Sequence, residues 1–558
     1  MRLSRFKLRG LALGVTAVIG VAACGNSTST TTTKLAPDQT LRFPIDGDIG
    51  TFDPAEINAE TDVVLYQNLF EGLLKLDDSL KVIPDIATSL PDVSSDGLTY
   101  TFHMRQDATF SNGDKITSKD VLYSWNRSAA DLNAYGSDFD HVVGYDKVSD
   151  PKSGVTTMSG LTAPDDHTVV AKLKSQWPVF VTEVAFQPAA VVISKKSVDL
   201  NKDNWWGTPG TEISSGPYKL TARVPGQSLE FTAVDNWWGS PKPTVKKVQI
   251  DIVKDMSSAI VKYDQGGYDT VGFGGMNSDL PPDDVVRIKN DPQKSKDLRL
   301  IPKTRTVWVA FDFKGPSPFT GNSGVAHDLR LALSLAIDRT QMADLACAHA
   351  LTCTPATGGL IAKGLKGYGG DGSDPTAKFD LTKAKALLKS ADPNGTLLKD
   401  LVYVTDTNKT VYKNTAENLI AQWKQNLGIT VTEQVVDHSP FVKLYTGHQI
   451  RGPHREGWQA DYDHPQDWFD NLFVTGGSSN GSLFSDPKVD ALAAKADVQP
   501  IDQAIPNYQA ALKQIEADAA FAPLVYTSGT ILFKPYLSGI GANPFNDFYW
   551  NEIQIQSH

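Results

Sequence analysis

The side chains best suited to chemistry crowd into one stretch, Arg451-Gly-Pro-His-Arg455-Glu-Gly-Trp458-Gln-Ala-Asp461-Tyr462-Asp463-His-Pro465-Gln-Asp467-Trp468. A cation, a large flat ring and an acid stand at 455, 458 and 461, ahead of an Asp-rich turn that contains a proline. If Trp458 to Tyr462 is extended, side chains alternate, so Trp458 and Tyr462 share one face while Asp461 and Asp463 share the other. An acid and a base beside one aromatic wall suit a small ligand that carries both charges. A zwitterion such as a short peptide fits, its ammonium on a carboxylate and its carboxylate on a guanidinium fork. The same residues would also make a salt-bridged, Trp-anchored strand end, and the stretch alone does not choose.

Other patterns with chemical meaning are weaker. Gly477-Ser-Ser-Asn-Gly481 matches the nucleophile elbow G-x-S-x-G, which needs a strand before it, a helix after it, and acid and His partners downstream. Here the run is rich in Gly, Ser and Asn, and the only His beyond it is His558, so a loop is expected and an exported hydrolase is not. His438, His448, His454 and His464 crowd one region at spacings that match no short chelating pair, and no metal site is expected there. Gly272-Phe-Gly-Gly275 lacks the third glycine and the following helix of a dinucleotide fingerprint, so no cofactor is expected.

The elements that must position these residues belong to a long chain. At 558 residues it can bury more than one core, and its length suggests two to four domains. With 41% hydrophobic and 21% charged residues it is composed like a globular protein, not a disordered or collagen-like one.

The N-terminus reads as an address. Arg2, Arg5, Lys7 and Arg9 precede an apolar run, Leu11 to Ala23, that is short for a membrane span and ends in small residues before Cys24. Losing residues 1–23 takes the net charge from −11 to −15, because four basic residues and no acids leave. No concentrated basic surface appears, so nucleic acid is not an expected partner. Residues 26–33 are polar, without periodicity, and read as a tether. Cys347 and Cys353 stand six apart. In an exported protein a small disulfide loop is expected, with a Cys/His metal site through His349 as the weaker alternative.

Along the rest of the chain, Leu98, Tyr100, Phe102 and Met104 alternate as in a half-buried strand. Strands are also expected at Thr168–Leu173, Ala190–Ile193, Val248–Val253 and Ile429–Val435. Helices are expected at Asp62–Phe70, at Val121–Arg127 with Thr117 or Ser118 as cap, and at Asp328–Ala343. Others follow at Asp380–Leu388, at Thr415–Leu427 with Gly428 as its C′ residue, from Pro487, and at Tyr508–Ala520. Helix, Gly, strand is the grammar of an α/β lobe.

An ordered series of short motifs runs through these elements. It comprises Thr51-Phe-Asp-Pro-Ala, Phe70-Glu-Gly-Leu, Ser95-Asp-Gly-Leu-Thr-Tyr-Thr-Phe, Ser215-Gly-Pro-Tyr-Lys-Leu and Asn236-Trp-Trp-Gly-Ser-Pro. Leu329-Arg-Leu-Ala-Leu-Ser-Leu-Ala-Ile-Asp-Arg339 and Gly457-Trp-Gln-Ala-Asp-Tyr462 complete it. Together, from about residue 40 to 540, the chain resembles the family 5 extracellular solute-binding proteins, the peptide-binding components of ABC importers. Val21-Ala-Ala-Cys24-Gly25 likewise resembles a lipobox, which implies lipidation of Cys24 and anchoring to a membrane.

The resemblance implies an α/β, two-lobed periplasmic-binding-protein-like fold of type II with an extra subdomain in the first lobe. Residues 40–72, 205–305 and 523–558 would form lobe I, 73–204 the extra subdomain and 306–522 lobe II. It further implies a non-enzymatic, monomeric receptor that hands a short peptide to a membrane permease. Asp461 falls where the family holds the peptide ammonium, Trp458 at the aromatic beside it, and Tyr462 next in line. Arg455 lies where some members reach the peptide carboxylate; in others that role comes from a helix upstream, near Lys413 and Asn414 here. A binder of another solute, an oligosaccharide or metal chelate, is the alternative on the same fold.

Overall fold

In a computed structural model of the protein, the described residues are 34–558, without 58–59, 78, 132–134, 187, 273–278, 407–408, 542–544 and 546–547. The leader, Cys24 and the polar run after it lie outside them.

Two larger sheets organise the molecule, and two long strands of one of them reach into the core of the other. The first sheet runs Thr40–Ile45, Lys247–Ile252, Ser228–Ala233, Tyr218–Val224, with only the first pair parallel. Its period-two pattern turns Leu229, Phe231, Val248 and Ile250 into one core, which also takes Leu41, Phe43, Trp205 and Trp550.

A smaller antiparallel sheet, Asp92–Val93, Thr99–His103, Thr168–Lys172, Leu161–Asp165, forms the inserted unit. Its helix Ser118–Ala130 begins at Thr117, whose backbone N–H donates to Asp120 at 2.8 Å in a capping box. That helix buries Trp125 against Phe102 and Phe180. The strand expected at Ala190–Ile193 is not one. Pro188–Ala190 is a short 3-10 turn, and Val191 makes a single bridge to Gly72. Val191, Ile193 and Val198 already belong to the first core, so the chain returns to it near 191 instead of 205.

The third sheet runs Thr270–Val271, Phe521–Phe533, Leu298–Ala310, His454–Gln459, Leu401–Asp406, Val431–Val436, with Cys353–Pro355 added on Phe521–Phe533. Leu298–Ala310 and Phe521–Phe533 are 13 residues each and pair antiparallel along most of their length. Ile301, Ile531 and Phe533 lie in the first core, whereas Val307, Val309, Leu524 and Val525 lie in a second, larger core that also takes Trp423 and is continuous with Trp125 and Phe180 of the inserted unit. The two strands therefore cross from one lobe to the other, and their register breaks between Pro302 and Thr306. The crossing falls inside both strands. On the return strand it comes after Val525 instead of at 523.

Around this sheet the helices follow the apolar periodicity, with one split. The run expected as a single helix over 328–343 forms two, Gly324–Leu335 and Arg339–Ala346. Asp338 breaks it, because its carboxylate accepts the N–H of Thr340 and of Gln341, both at 3.0 Å, and caps the second helix. Thr410–Leu427 ends at Gly428, whose φ of 74° is the left-handed conformation that glycine adopts without strain. Cys347 and Cys353, both fully buried, are joined by a disulfide with Cα atoms 5.4 Å apart. It ties the end of Arg339–Ala346 to the strand Cys353–Pro355.

Candidate ligand site

Trp458 sits on His454–Gln459 directly opposite Thr306, so the register of the sheet brings it beside the crossing. The strand ends at Gln459, and the chain then bends into the helix Gln466–Leu472. The face-sharing expected for an extended Trp458–Tyr462 is therefore overturned. Asp467, 0% exposed, explains the bend. One of its carboxylate oxygens accepts both the Trp458 indole N–H and the Asp461 backbone N–H, each at 3.0 Å. A buried carboxylate with two N–H donors holds the ring and the loop in one arrangement. The Ala460 N–H donates to the Thr304 carbonyl at 3.0 Å, which ties the same loop to the break in the crossing strand.

After the bend the predicted residues part company. The Tyr462 ring is buried and its hydroxyl donates to Gln466. Asp463 turns to Lys366, with an ion pair of 2.8 Å. Asp461 stays half-buried with no ion pair among the described residues. Loss of hydration pushes its carboxyl up to about 7, with the nearby charge of Arg305 pulling the other way.

Its surroundings are acidic. Burial raises Asp467 well above the usual range, and the Asp461 charge adds to that. From the inserted unit, Asp138 is raised by burial and then by Glu183, Asp461 and Asp467. Glu183 is pushed by burial to about 8, although the Trp177 indole N–H donates to both its oxygens at 3.1 Å. Asp138 of the inserted unit and Asp467 thus both feel the Asp461 charge, which a cation would relieve.

Arg455, at the other end of the strand, is committed elsewhere. It is 6% exposed, donates to Asp406 at 2.5 Å, and lies between the rings of Tyr412 and Phe441 with its carbon 4.2 and 4.7 Å from their centroids. Asp406 also bonds His438 Nδ1 at 2.6 Å. The cation nearer to Asp461 is Arg305, in the register break. Its guanidinium donates to the Tyr412 hydroxyl at 3.0 Å and to the Gln459 amide oxygen at 3.5 Å, both neutral acceptors.

Arg305 and Lys409 line two cavities at once. The larger, about 450 Å³, lies between first-lobe residues such as Asp279 and Pro281 and second-lobe residues such as Ala346 and Thr410. Lys303, almost fully buried, lines it too and pairs with Asp279 at 2.8 Å. The smaller, about 200 Å³, opens behind Trp458. A volume of some hundreds of Å³ between two lobes, apolar in part and with charges at fixed points, is that of a small-molecule site.

The weaker motifs find ordinary places. Ser479 lies in a turn region after Gln466–Leu472, with no strand before it, and its carbonyl accepts the Tyr445 hydroxyl. The four histidines have separate partners: Asp406, the Gly481 carbonyl, Glu456, and for His464 the Gln466 N–H. Of the run Gly272-Phe-Gly-Gly275, Phe273 to Gly275 fall outside the described residues. Asp467, Arg305 and Asp138 had no assigned role in the sequence. Asp467 stood in the quoted stretch, but only the fold shows its two donors. Arg305 is one cation in an unremarkable strand.

The sequence profile of the bacterial extracellular solute-binding proteins, family 5, matches residues 81–480. The chain belongs to that family. Among the relatives is the periplasmic oligopeptide-binding protein OppA of Escherichia coli, 26% identical over 543 residues, covering 94% of each chain. Another is a dipeptide-binding protein of Lactococcus lactis subsp. cremoris, 26% identical over 553 residues, covering 95% of this chain and 96% of its own. Among solved structures, the Escherichia coli murein tripeptide binding protein MppA aligns with a TM-score of 0.76 at 25% identity, over 94% of this chain and all of its own. The two-lobed α/β fold is thus that of the family 5 binding proteins, and these relatives are named as binding proteins, not enzymes.

Proposed function

We propose that this family 5 protein is the extracytoplasmic receptor of an ABC importer and captures short peptides between its lobes. The observation that carries the proposal is Asp461, an acid without a counter-ion among the described residues, set among other acids beside an indole and close to Arg305. The peptide ammonium would sit on Asp461 along the Trp458 ring. The carboxylate end would reach Arg305 and Lys409, with Lys303 behind them. Arg455 is replaced in that role because Asp406 already matches its charge. The named ligands of the relatives, oligopeptides and dipeptides, support the same class.

The loaded protein would act as a monomer and deliver to a membrane permease, with Cys24 carrying the lipid that keeps it at the membrane. An acyl chain contributes about 0.8 kcal/mol per buried CH₂, so more than one chain gives durable attachment. Material in which Cys24→Ala is released from membranes is the expected result, and normal retention of that variant would remove the anchor from the reading. For the ligand, the protein is denatured after gentle purification and what it releases is identified by mass spectrometry. Short peptides are expected, and a sugar or a metal chelate in their place would overturn the peptide reading.

A further inference from the structure

Behind Trp458 lies the smaller chamber, and we infer that it is a side-chain pocket selecting peptides that carry an aromatic residue. The inference rests on the peptide reading above. The chamber holds about 200 Å³. An apolar cavity of about 150 Å³ accepts benzene, so this one has the capacity of a single ring with its substituent.

Its walls are the rings of Tyr412, Phe441, Tyr445 and Trp458. Their polar atoms are already engaged. The Tyr412 hydroxyl accepts from Arg305, the Tyr445 hydroxyl donates to the Ser479 carbonyl, and the Trp458 N–H donates to Asp467. What remains on offer is ring surface, which favours another aromatic ring in offset or edge contact.

Arg305 and Lys409 line the chamber too and are the cations assigned above to the peptide's own carboxylate, while Arg455, also in its wall, narrows the occupant further. The Arg455 charge is matched by Asp406, and Glu456, also at the chamber, is bonded to His454 at 3.1 Å. With Arg305 and Lys409 engaged by the peptide's own carboxylate, neither an acidic nor a basic side chain would gain a further counter-charge there. Yet the Arg455 Nε–H is buried and has no partner among the described residues. A buried donor left unmade is unfavourable, and a neutral oxygen at the ring's edge would satisfy it. The best occupant is a phenol, then a phenyl ring.

Calorimetric titration of the wild type with trialanine and pentaalanine hosts, each position replaced in turn by Tyr, Phe, Leu or Glu, tests this. At one position Tyr and Phe should tighten binding by about 10- to 100-fold over Ala, the effect of burying one large side chain. Tyr should match or exceed Phe, Leu should gain less, and Glu should gain nothing. Val442→Trp, which fills the chamber from the helix His438–Thr446, should bring the aromatic-to-alanine ratio towards one; an unchanged ratio in the folded variant would place the pocket elsewhere. If the hosts bind and no position prefers an aromatic, or Glu gains as much as Tyr, the pocket falls while the peptide reading stands. If no peptide of either series binds, the peptide reading falls and the pocket with it.

Discussion

One strand, His454–Gln459, carries charge at both ends, and the two ends are treated in opposite ways. At Arg455 the charge is closed off by Asp406 on one side and two rings on the others. Just past the other end, Asp461 is brought among Asp467 and Asp138, with Arg305 near but bonded to neutral oxygens. The first arrangement is complete within the protein. The second is complete only when something positive arrives. A buried ion pair is a poor source of stability but is costly to break. An acid cluster is costly to keep and is relieved by a ligand.

The sharpest break of that comparison is to remove one acid from each end. Asp406→Ala leaves Arg455 buried without its counter-ion and should cost about 3–5 kcal/mol, read as an earlier denaturant midpoint. Asp461→Ala should leave the midpoint of the empty protein unchanged or later. If Asp461→Ala is as destabilising as Asp406→Ala, the two ends do not differ as described.

For binding the ranking reverses. Losing one side of a desolvated ion pair typically costs about 3–5 kcal/mol, or about 10²- to 10³-fold or more in affinity. Asp461→Ala should lose that much affinity for peptide and should no longer distinguish a free from an N-acetylated peptide. A wild type that binds both peptides equally would clear Asp461 of the ammonium role.

The acidity of the site sharpens the comparison through pH. In the empty protein the Asp461 carboxyl titrates at about 7, well above its ordinary 3.8. The native state thus holds a proton that the unfolded chain has lost, so stability of the empty protein falls as pH rises from about 4 to 7. A bound ammonium lowers that pKa, so peptide binding should release protons near neutrality. Affinity should be at least about tenfold weaker at pH 5.5 than at pH 8. Titrations at both pH values, in two buffers of different ionisation enthalpy, read both effects. No proton release, or tighter binding in acid, would contradict the assignment.

The smallest effect concerns the wall of the larger chamber. Ala346 lines it one residue before Cys347, so the disulfide holds that helix end in place. Reduction should cost about 2 kcal/mol for a loop this short. It should weaken peptide binding less than any change at Asp461. Thermal melts and titrations with and without reductant give both numbers.

Much of this was legible in the sequence because local rules and tertiary packing agree. The helix Thr410–Leu427 follows its apolar stripe and stops at Gly428, where only a left-handed residue fits. Thr99–His103 alternates because one face is core and the other is not. Legibility failed where a side chain took over the backbone. Asp338 was one more polar residue on a helical face until its carboxylate capped a second helix. Asp467 ended the extended run after Gln459 and undid the face assignment of Tyr462 and Asp463. Arg305 and Asp138 could not be read at all. Their meaning comes from neighbours that lie far away in the chain.

The break between Pro302 and Thr306 has one further consequence. Arg305 lies within it, and the Ala460 N–H that leads to Asp461 is tied to the Thr304 carbonyl beside it. Both ends of a bound zwitterion would thus be gripped from a single joint, the one through which the two lobes are connected. A ligand held in that way would be gripped close to the pivot, as a rod is held near the pin of a pair of callipers.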